Sequence, residues 1–326
     1  MFAFLGIILG ILVLIGGGTA LVAGASQIAS RFGVSPMVIG LTVVGFGTSA
    51  PELVVNILGA MTGQSELAFG NVIGSNISNL GLVLGTAALI QSIDLKGKVM
   101  QREIPLLLLI TTIMTVMALD GVFENRPPRF SQSDAIVLLL LFGIFIYITV
   151  QDFVIANRDD ALITDISHSQ LVTAERKLGY HWLLILVGFA LLFVGGHVTV
   201  TQSVRLATHL GVAPSIIGLF VVAIGTSMPE LVTSIIAAIR KESDLALGNV
   251  IGSNIFNSLI VLPASALAAP VIIPPGGIFD LIVSWLFAAV LVPIFFLRNA
   301  SIGRPSGILL LVAYVAYAVY RLKGNF

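Results

Sequence analysis

A six-residue polar cassette, Gly47-Thr48-Ser49-Ala50-Pro51-Glu52, interrupts an apolar run and returns as Gly225-Thr226-Ser227-Met228-Pro229-Glu230. Each copy is followed 23 residues later by Gly-Asn-Val-Ile-Gly-Ser-Asn, at 70–76 and 248–254, so both motifs recur at one offset of 178 residues. Aligned without a gap, residues 34–85 and 212–263 share 30 identities in 52 positions. Common hydrophobic composition does not produce that level of identity, and the chain is an internal duplication. The fold must therefore use one unit twice. What is duplicated is a carboxylate, hydroxyls and amides in the middle of membrane-length apolar stretches, where polar groups are costly and usually functional. Such a pair of cassettes is suited to handling a cation inside a bilayer.

With 57% hydrophobic and only 10% charged residues in 326, the chain has too much apolar surface for a soluble domain to bury. Reading stretches of about 17–25 apolar residues as spans gives ten, near 3–25, 36–61, 67–91, 103–120, 132–151, 180–204, 214–239, 245–269, 278–297 and 306–322. Met1 to Leu21 lacks a basic segment before its apolar run and continues into the repeat, so it reads as the first span and not as a cleaved signal. The fold class expected is all-α integral membrane. The lipid bilayer is the expected partner; zero net charge gives no footprint for nucleic acid, and no obligate protein partner is evident. Cysteine is absent, which removes disulfides, thiolate metal sites and cysteine nucleophiles together.

Lys and Arg set the orientation. Arg31, Lys96, Lys98, Arg102, Arg158, Arg176, Lys177, Arg240, Lys241, Arg298 and Arg304 fall on one side, against Arg126, Arg129, Arg205, Arg321 and Lys323 on the other. The richer side is expected in the cytoplasm of a multi-pass cell-membrane protein, which puts both termini outside. Residues 1–151 form a first five-helix repeat, 152–178 a polar cytoplasmic linker, and 179–326 a second repeat. Five is odd, so the second copy enters the membrane in the opposite direction, and the repeats are inverted. This topology is typical of secondary transporters that bind their substrate near the midplane. Gly17-Gly18 against Gly195-Gly196 extends the correspondence into the first helix of each half.

Pro51 and Pro229 have no N–H and clash with the preceding turn, so spans 2 and 7 are expected to break just before each glutamate. The break frees the carbonyls of Gly47 and Gly225 and exposes those near Gly45 and Ala223. Irregular backbone at membrane depth is tolerated only where it lines a cavity or is covered by protein. Thr48 and Ser49 stand four and three residues before Glu52, as Thr226 and Ser227 stand before Glu230, so a helix would bring hydroxyls beside each carboxylate. In the next span Asn71, Ser75 and Asn79 form one stripe, matched by Asn249, Ser253 and Asn257. Gly70, Gly74, Gly248 and Gly252 permit close helix approach. The inventory is an all-oxygen site with two carboxylates, which suits Ca²⁺ and lacks the ligands that softer metals prefer. Asn71 and Asn249 read as braces of the broken helices. His197 has Thr19 as its repeat mate and stands outside the symmetric set, reading as a packing histidine, and Asp120, Glu124, Asp134 and Asp280 read as interfacial charges at span ends.

These paired motifs resemble the alpha repeats of the cation/calcium exchanger superfamily, most closely its prokaryotic sodium/calcium exchanger branch, over essentially the whole chain. The resemblance implies that Glu52 and Glu230 are the two central Ca²⁺ ligands. It implies that Thr48, Ser49, Ser75, Thr226, Ser227 and Ser253 supply hydroxyl or carbonyl donors to Na⁺ and Ca²⁺, with Asn79 and Asn257 as the remaining polar pair. Some members of that family carry Asp where this chain has Asn257, so the site here has two carboxylates and two amides. The implied function is antiport of Ca²⁺ against Na⁺ by alternating access, spans 1 and 6 sliding against a four-helix core. Ca²⁺ and Na⁺ are then transported ions, and no cofactor is called for. A Ca²⁺/H⁺ antiporter would use the same glutamates as proton carriers, and a cation channel would also place carboxylates at the midplane. An intramembrane enzyme has the least support, since no HExxH motif and no cysteine exist.

Overall fold

The computed structural model describes residues 2–63, 65–95, 98–123, 127–163, 178–209, 223–296 and 301–323. Twelve helices are described: α1 (Phe2–Arg31), α2 (Pro36–Thr48), α3 (Ala50–Met61), α4 (Ser65–Ile90), α5 (Lys98–Phe123), α6 (Gln132–Ile163), α7 (Leu178–His209), α8 (Ala223–Thr226), α9 (Met228–Ile239), α10 (Ser243–Ala268), α11 (Gly277–Phe296) and α12 (Arg304–Leu322). Among the described residues seven helices are long and apolar enough to cross a membrane, eight when the bent pair α2 and α3 counts as one span. The apolar stretches of α9 and α11 (Met228–Ile239, Gly277–Pro293) are shorter. The first part of the expected seventh span, up to residue 222, lies outside the described residues, as do 164–177 of the expected linker. That linker is not wholly irregular: α6 runs on through 152–163.

Helix ends follow local chemistry. Ser35 accepts the Val38 N–H at 3.4 Å in front of Pro36, which opens α2 where a missing N–H costs nothing. Gly33, at φ +63°, closes α1. Ser131 and Asp134 cap α6 reciprocally: the Asp134 N–H donates to Ser131 Oγ at 3.3 Å and the Ser131 N–H to Asp134 Oδ2 at 2.7 Å.

The centre is built from α4 and α10. Their apolar windows are 72% and 94% buried, against 11–39% for the other candidate spans, so the two polar-striped helices lie inside and the uniformly apolar ones face outward. Around them α1 and α7 pack antiparallel with almost no side chain between their backbones. A Cβ on Gly10 would lie 2.9 Å from the Thr199 nitrogen, one on Gly17 2.8 Å from the Leu192 nitrogen, and one on Gly24 2.8 Å from the His181 carbonyl. From the opposite helix, Gly188 meets Leu21 and Gly195 meets Leu14 in the same way.

Among the described residues two short antiparallel ladders tie the ends of the bundle. β1 (Ile93–Asp94) pairs with β4 (Ser301–Ile302), and β2 (Arg129–Phe130) with β3 (Val271–Ile272). Each ladder joins the segment after the second motif of one half to a connection of the other half. Sequence pattern gave no sign of them, because two-residue strands carry no period.

Candidate cation site

The chain bends by 41° between α2 and α3, and the hinge is Ser49 at φ −86°, ψ 0°. Ser227 adopts nearly the same conformation, φ −85°, ψ 6°, between α8 and α9. Both prolines follow by two residues, inside the first turn of the next helix, so the break is local. The Ser49 N–H still reaches the Gly45 carbonyl at 3.2 Å, and the Leu53 N–H still reaches the Ser49 carbonyl at 3.2 Å.

This hinge redirects the hydroxyls. Helical spacing put Thr48 and Ser49 beside Glu52, but the Ser49 hydroxyl donates to Glu230 Oε1 at 3.3 Å, across the molecule. Thr48 bonds Asn249 Oδ1 at 3.1 Å and Ser253 Oγ at 3.2 Å. In the other half Thr226 donates to Asn71 Oδ1 at 3.0 Å and Ser227 to Ser75 Oγ at 3.3 Å. With ψ near 0° at the hinge the helix changes direction while its flanking backbone bonds persist, and each cassette is completed by the opposite repeat. The Gly45 carbonyl is a shared acceptor, taking the Thr48 and Ser253 hydroxyls at 3.3 Å each as well as the Ser49 N–H. Ala223 opens α8.

Glu52 and Glu230 are each 1% exposed, and Asn79 and Asn257 are fully buried. Among the described residues neither carboxylate oxygen of Glu52 has a hydrogen-bond partner, nor has Glu230 Oε2, Asn79 Oδ1 or Asn257 Oδ1. Buried oxygens of this kind are costly unless something satisfies them. A hard cation fits that set, since it takes several oxygens, carboxylates among them. Asn79 and Asn257 each begin a π-helical turn, Asn79–Val83 in α4 and Asn257–Val261 in α10. Such turns are rare and concentrate at functional sites. The Asn79 turn packs against α9, the helix of Glu230, and the Asn257 turn against α3, the helix of Glu52.

Asn249 does brace a broken helix: its Nδ2 donates to Ser234 Oγ at 2.9 Å and to the Glu230 carbonyl at 3.3 Å. In the first half the equivalent duty falls to Asn56, whose Nδ2 donates to the Glu52 carbonyl at 2.8 Å. Asn56 and Ser234 are not among the residues expected from sequence, though both are polar, four residues after a cassette glutamate and 178 apart. Asn76 and Asn254, last residues of the second motif, also join the site's hydrogen bonds: Asn79 Nδ2 donates to Asn254 Oδ1 at 3.1 Å. Two other readings change. His197 is exposed on α7 and does not pack. Asp280 is buried, accepting the Tyr317 hydroxyl at 2.9 Å and pairing with Arg321 at 3.1 Å, because α12 folds back over the start of α11.

The two halves are packed unequally. Gly18 of α1 sits over Val232, Thr233 and Ile236 of α9. The equivalent positions on α3, Val54, Val55 and Leu58, are 50–56% exposed. A cavity of about 260 Å³ opens beside the hinge that begins α3, lined by Gly47, Thr48, Pro51 and Pro229 with Phe189 and Phe193 of α7.

The model of the sodium/calcium exchanger protein family matches residues 2–151 and 180–323. A putative antiporter, CaxA, of Alkalimonas amylolytica is 35% identical over 314 residues, 95% of this chain and 96% of its own. The sodium/calcium exchanger MaX1 of Methanosarcina acetivorans is 30% identical over 97% of both chains. A solved structure of the sodium-calcium exchanger NCX_Mj superposes with a TM-score of 0.83 at 30% identity, covering 98% of each chain.

Proposed function

Because the chain belongs to the sodium/calcium exchanger family, a family of membrane transporters and not of enzymes, we propose that it exchanges Ca²⁺ for Na⁺ by alternating access at the Glu52 and Glu230 site. The observation that carries this reading is the pair of buried carboxylates with unsatisfied oxygens, held by hinges at Ser49 and Ser227 in the interior of an apolar helical bundle. Thr48, Ser49, Ser75, Thr226, Ser227, Ser253, Asn79 and Asn257 complete the donor set, with the Gly45 and Ala223 carbonyls beside the hinges. Two carboxylates in a dry site are stable only when cations neutralise them. An empty, doubly charged core resists the transition between sides, and that requirement couples the two fluxes.

In this reading ten spans form two inverted five-helix repeats, 1–151 and 179–326, joined by a cytoplasmic connection over 152–178. The antiparallel packing of α1 on α7 and the paired ladders support it. Both termini lie outside the cell membrane, as the Lys and Arg distribution requires. On that orientation α3 occupies the outer half of its span and α9 the inner half. The cavity beside α3 then faces outward, and the Gly18 contact on α9 closes the inner side. Cysteines introduced at Arg126 and Phe326 are expected to react with an impermeant reagent from outside, and those at Ser167 and Lys241 are not. The reverse pattern overturns the orientation.

The functional test is Ca²⁺ uptake into reconstituted vesicles under an imposed Na⁺ gradient or an imposed pH gradient. Uptake above equilibrium that follows Na⁺ is expected. Uptake driven by the pH gradient alone assigns a Ca²⁺/H⁺ antiporter, and uptake that never exceeds equilibrium assigns a channel.

A further inference from the structure

The two amides of the site are repeat mates, yet they are held differently. Asn79 Nδ2 donates to Asn254 Oδ1 at 3.1 Å, and Asn254 is itself anchored by its Nδ2 on the Asn76 carbonyl at 3.3 Å. An amide has a donor end and an acceptor end, so fixing the first fixes where the second points. Asn79 Oδ1 is thereby left buried and without a partner among the described residues. Asn76 is the repeat mate of Asn254, and the mirror arrangement would have Asn257 Nδ2 donating to Asn76 Oδ1. That bond is missing. Asn76 Oδ1 and both polar atoms of Asn257 have no partner among the described residues. Asn76 instead donates its Nδ2 to Ser258 Oγ at 3.0 Å. The residue equivalent to Ser258 in the first half is Leu80, whose side chain has no hydrogen-bond acceptor.

Resting on the exchanger reading above, we propose that Asn254 is a positioning residue that holds the Asn79 amide with its carbonyl oxygen toward the transported cation, while Ser258, by engaging Asn76, denies Asn257 the same brace. One amide is then a fixed oxygen ligand. The other is adaptable: it turns its oxygen to a cation or its N–H to a carboxylate, according to what the site holds. This gives the two halves of a duplicated site different duties without any difference between the two ligand residues themselves.

The test is the Ca²⁺ dependence of Na⁺-driven uptake, together with equilibrium binding of radiolabelled Ca²⁺ to the purified full chain. Asn254→Ala frees Asn79 to turn its N–H inward, and the apparent KM for Ca²⁺ is expected to rise about fivefold to tenfold with kcat changed less than about twofold, the effect of losing one net hydrogen bond. On an Asn79→Ala background, where there is no amide to orient, the same change is expected to add nothing. Ser258→Leu, which copies Leu80, releases Asn76 to brace Asn257 and is expected to lower the KM. Should Asn254→Ala not insert, Ser258→Leu carries the test. An unchanged KM in Asn254→Ala, an equal loss with and without the Asn79 side chain, or an unchanged or raised KM in Ser258→Leu overturns the proposal. A native chain that binds no Ca²⁺ at all brings down the exchanger reading instead, so the two failures are distinguishable.

Discussion

Three consecutive glycines of α1 give three different expected responses to one added methyl group. A Cβ on Gly16 meets nothing within 4 Å, one on Gly17 would lie 2.8 Å from the Leu192 nitrogen and 3.0 Å from the Gly188 carbonyl, and one on Gly18 would lie 3.1 Å from Val232 Cγ1. Gly16→Ala only removes backbone freedom and is expected to stabilise by about 0.5–1 kcal/mol. Gly17→Ala strikes the backbone of α7, which cannot rotate aside, and forces the two helices apart by about half an ångström along their glycine seam. Overpacking of that kind costs about 1–3 kcal/mol. Gly18→Ala touches the end of a side chain on α9, which yields. Its effect is expected on transport, because it pushes on the α1–α9 contact proposed above to close the inner side, while stability stays within about 1 kcal/mol of the native chain. Thermal unfolding in detergent, followed by the fluorescence of Trp182 and Trp285, ranks the three. Equal midpoints for Gly16→Ala and Gly17→Ala would refute the close approach of α1 and α7 on which the reasoning stands.

Glu52→Gln or Glu230→Gln leaves a divalent ion one charge short in a buried site, and Ca²⁺ affinity is expected to fall by about a thousandfold or more, as a lost close charge pair of about 4 kcal/mol implies; binding measurements on the purified protein check this, and near-native affinity in either variant removes that glutamate from the site. Lys241 sits at φ +62° where its repeat mate Gly63 has φ +80°, so Lys241→Gly is expected to raise stability by about 0.5–1 kcal/mol, and a lower unfolding midpoint would show that the lysine compensates elsewhere. Asp280→Asn weakens the buried contact with Arg321 and is expected to cost about 1–3 kcal/mol, seen as earlier proteolytic release of the α12 end; unchanged protease resistance would show that α12 is held by apolar packing alone.

Much of the protein was legible in the amino-acid sequence because the relevant signals are local. Apolar stretches marked the helices, the repeated cassettes marked the two glutamates, and proline at 51 and 229 announced the breaks that the structure shows at Ser49 and Ser227. Asn76 and Asn254 also stand inside the repeated motif. The partners of these groups are another matter. Sequence placed Thr48 and Ser49 beside Glu52, four and three residues away, whereas the bonds from the cassette hydroxyls to other side chains span 152 to 205 residues and join opposite halves. Nor did it reveal the π turns at Asn79 and Asn257, the two-residue ladders, or the burial of Asp280 under α12. Residue type and spacing determine what a segment is made of and how its helix winds. Which oxygen faces which carboxylate depends on a 41° bend and on helices far apart in the chain packing at backbone distance, and only the tertiary structure decides that.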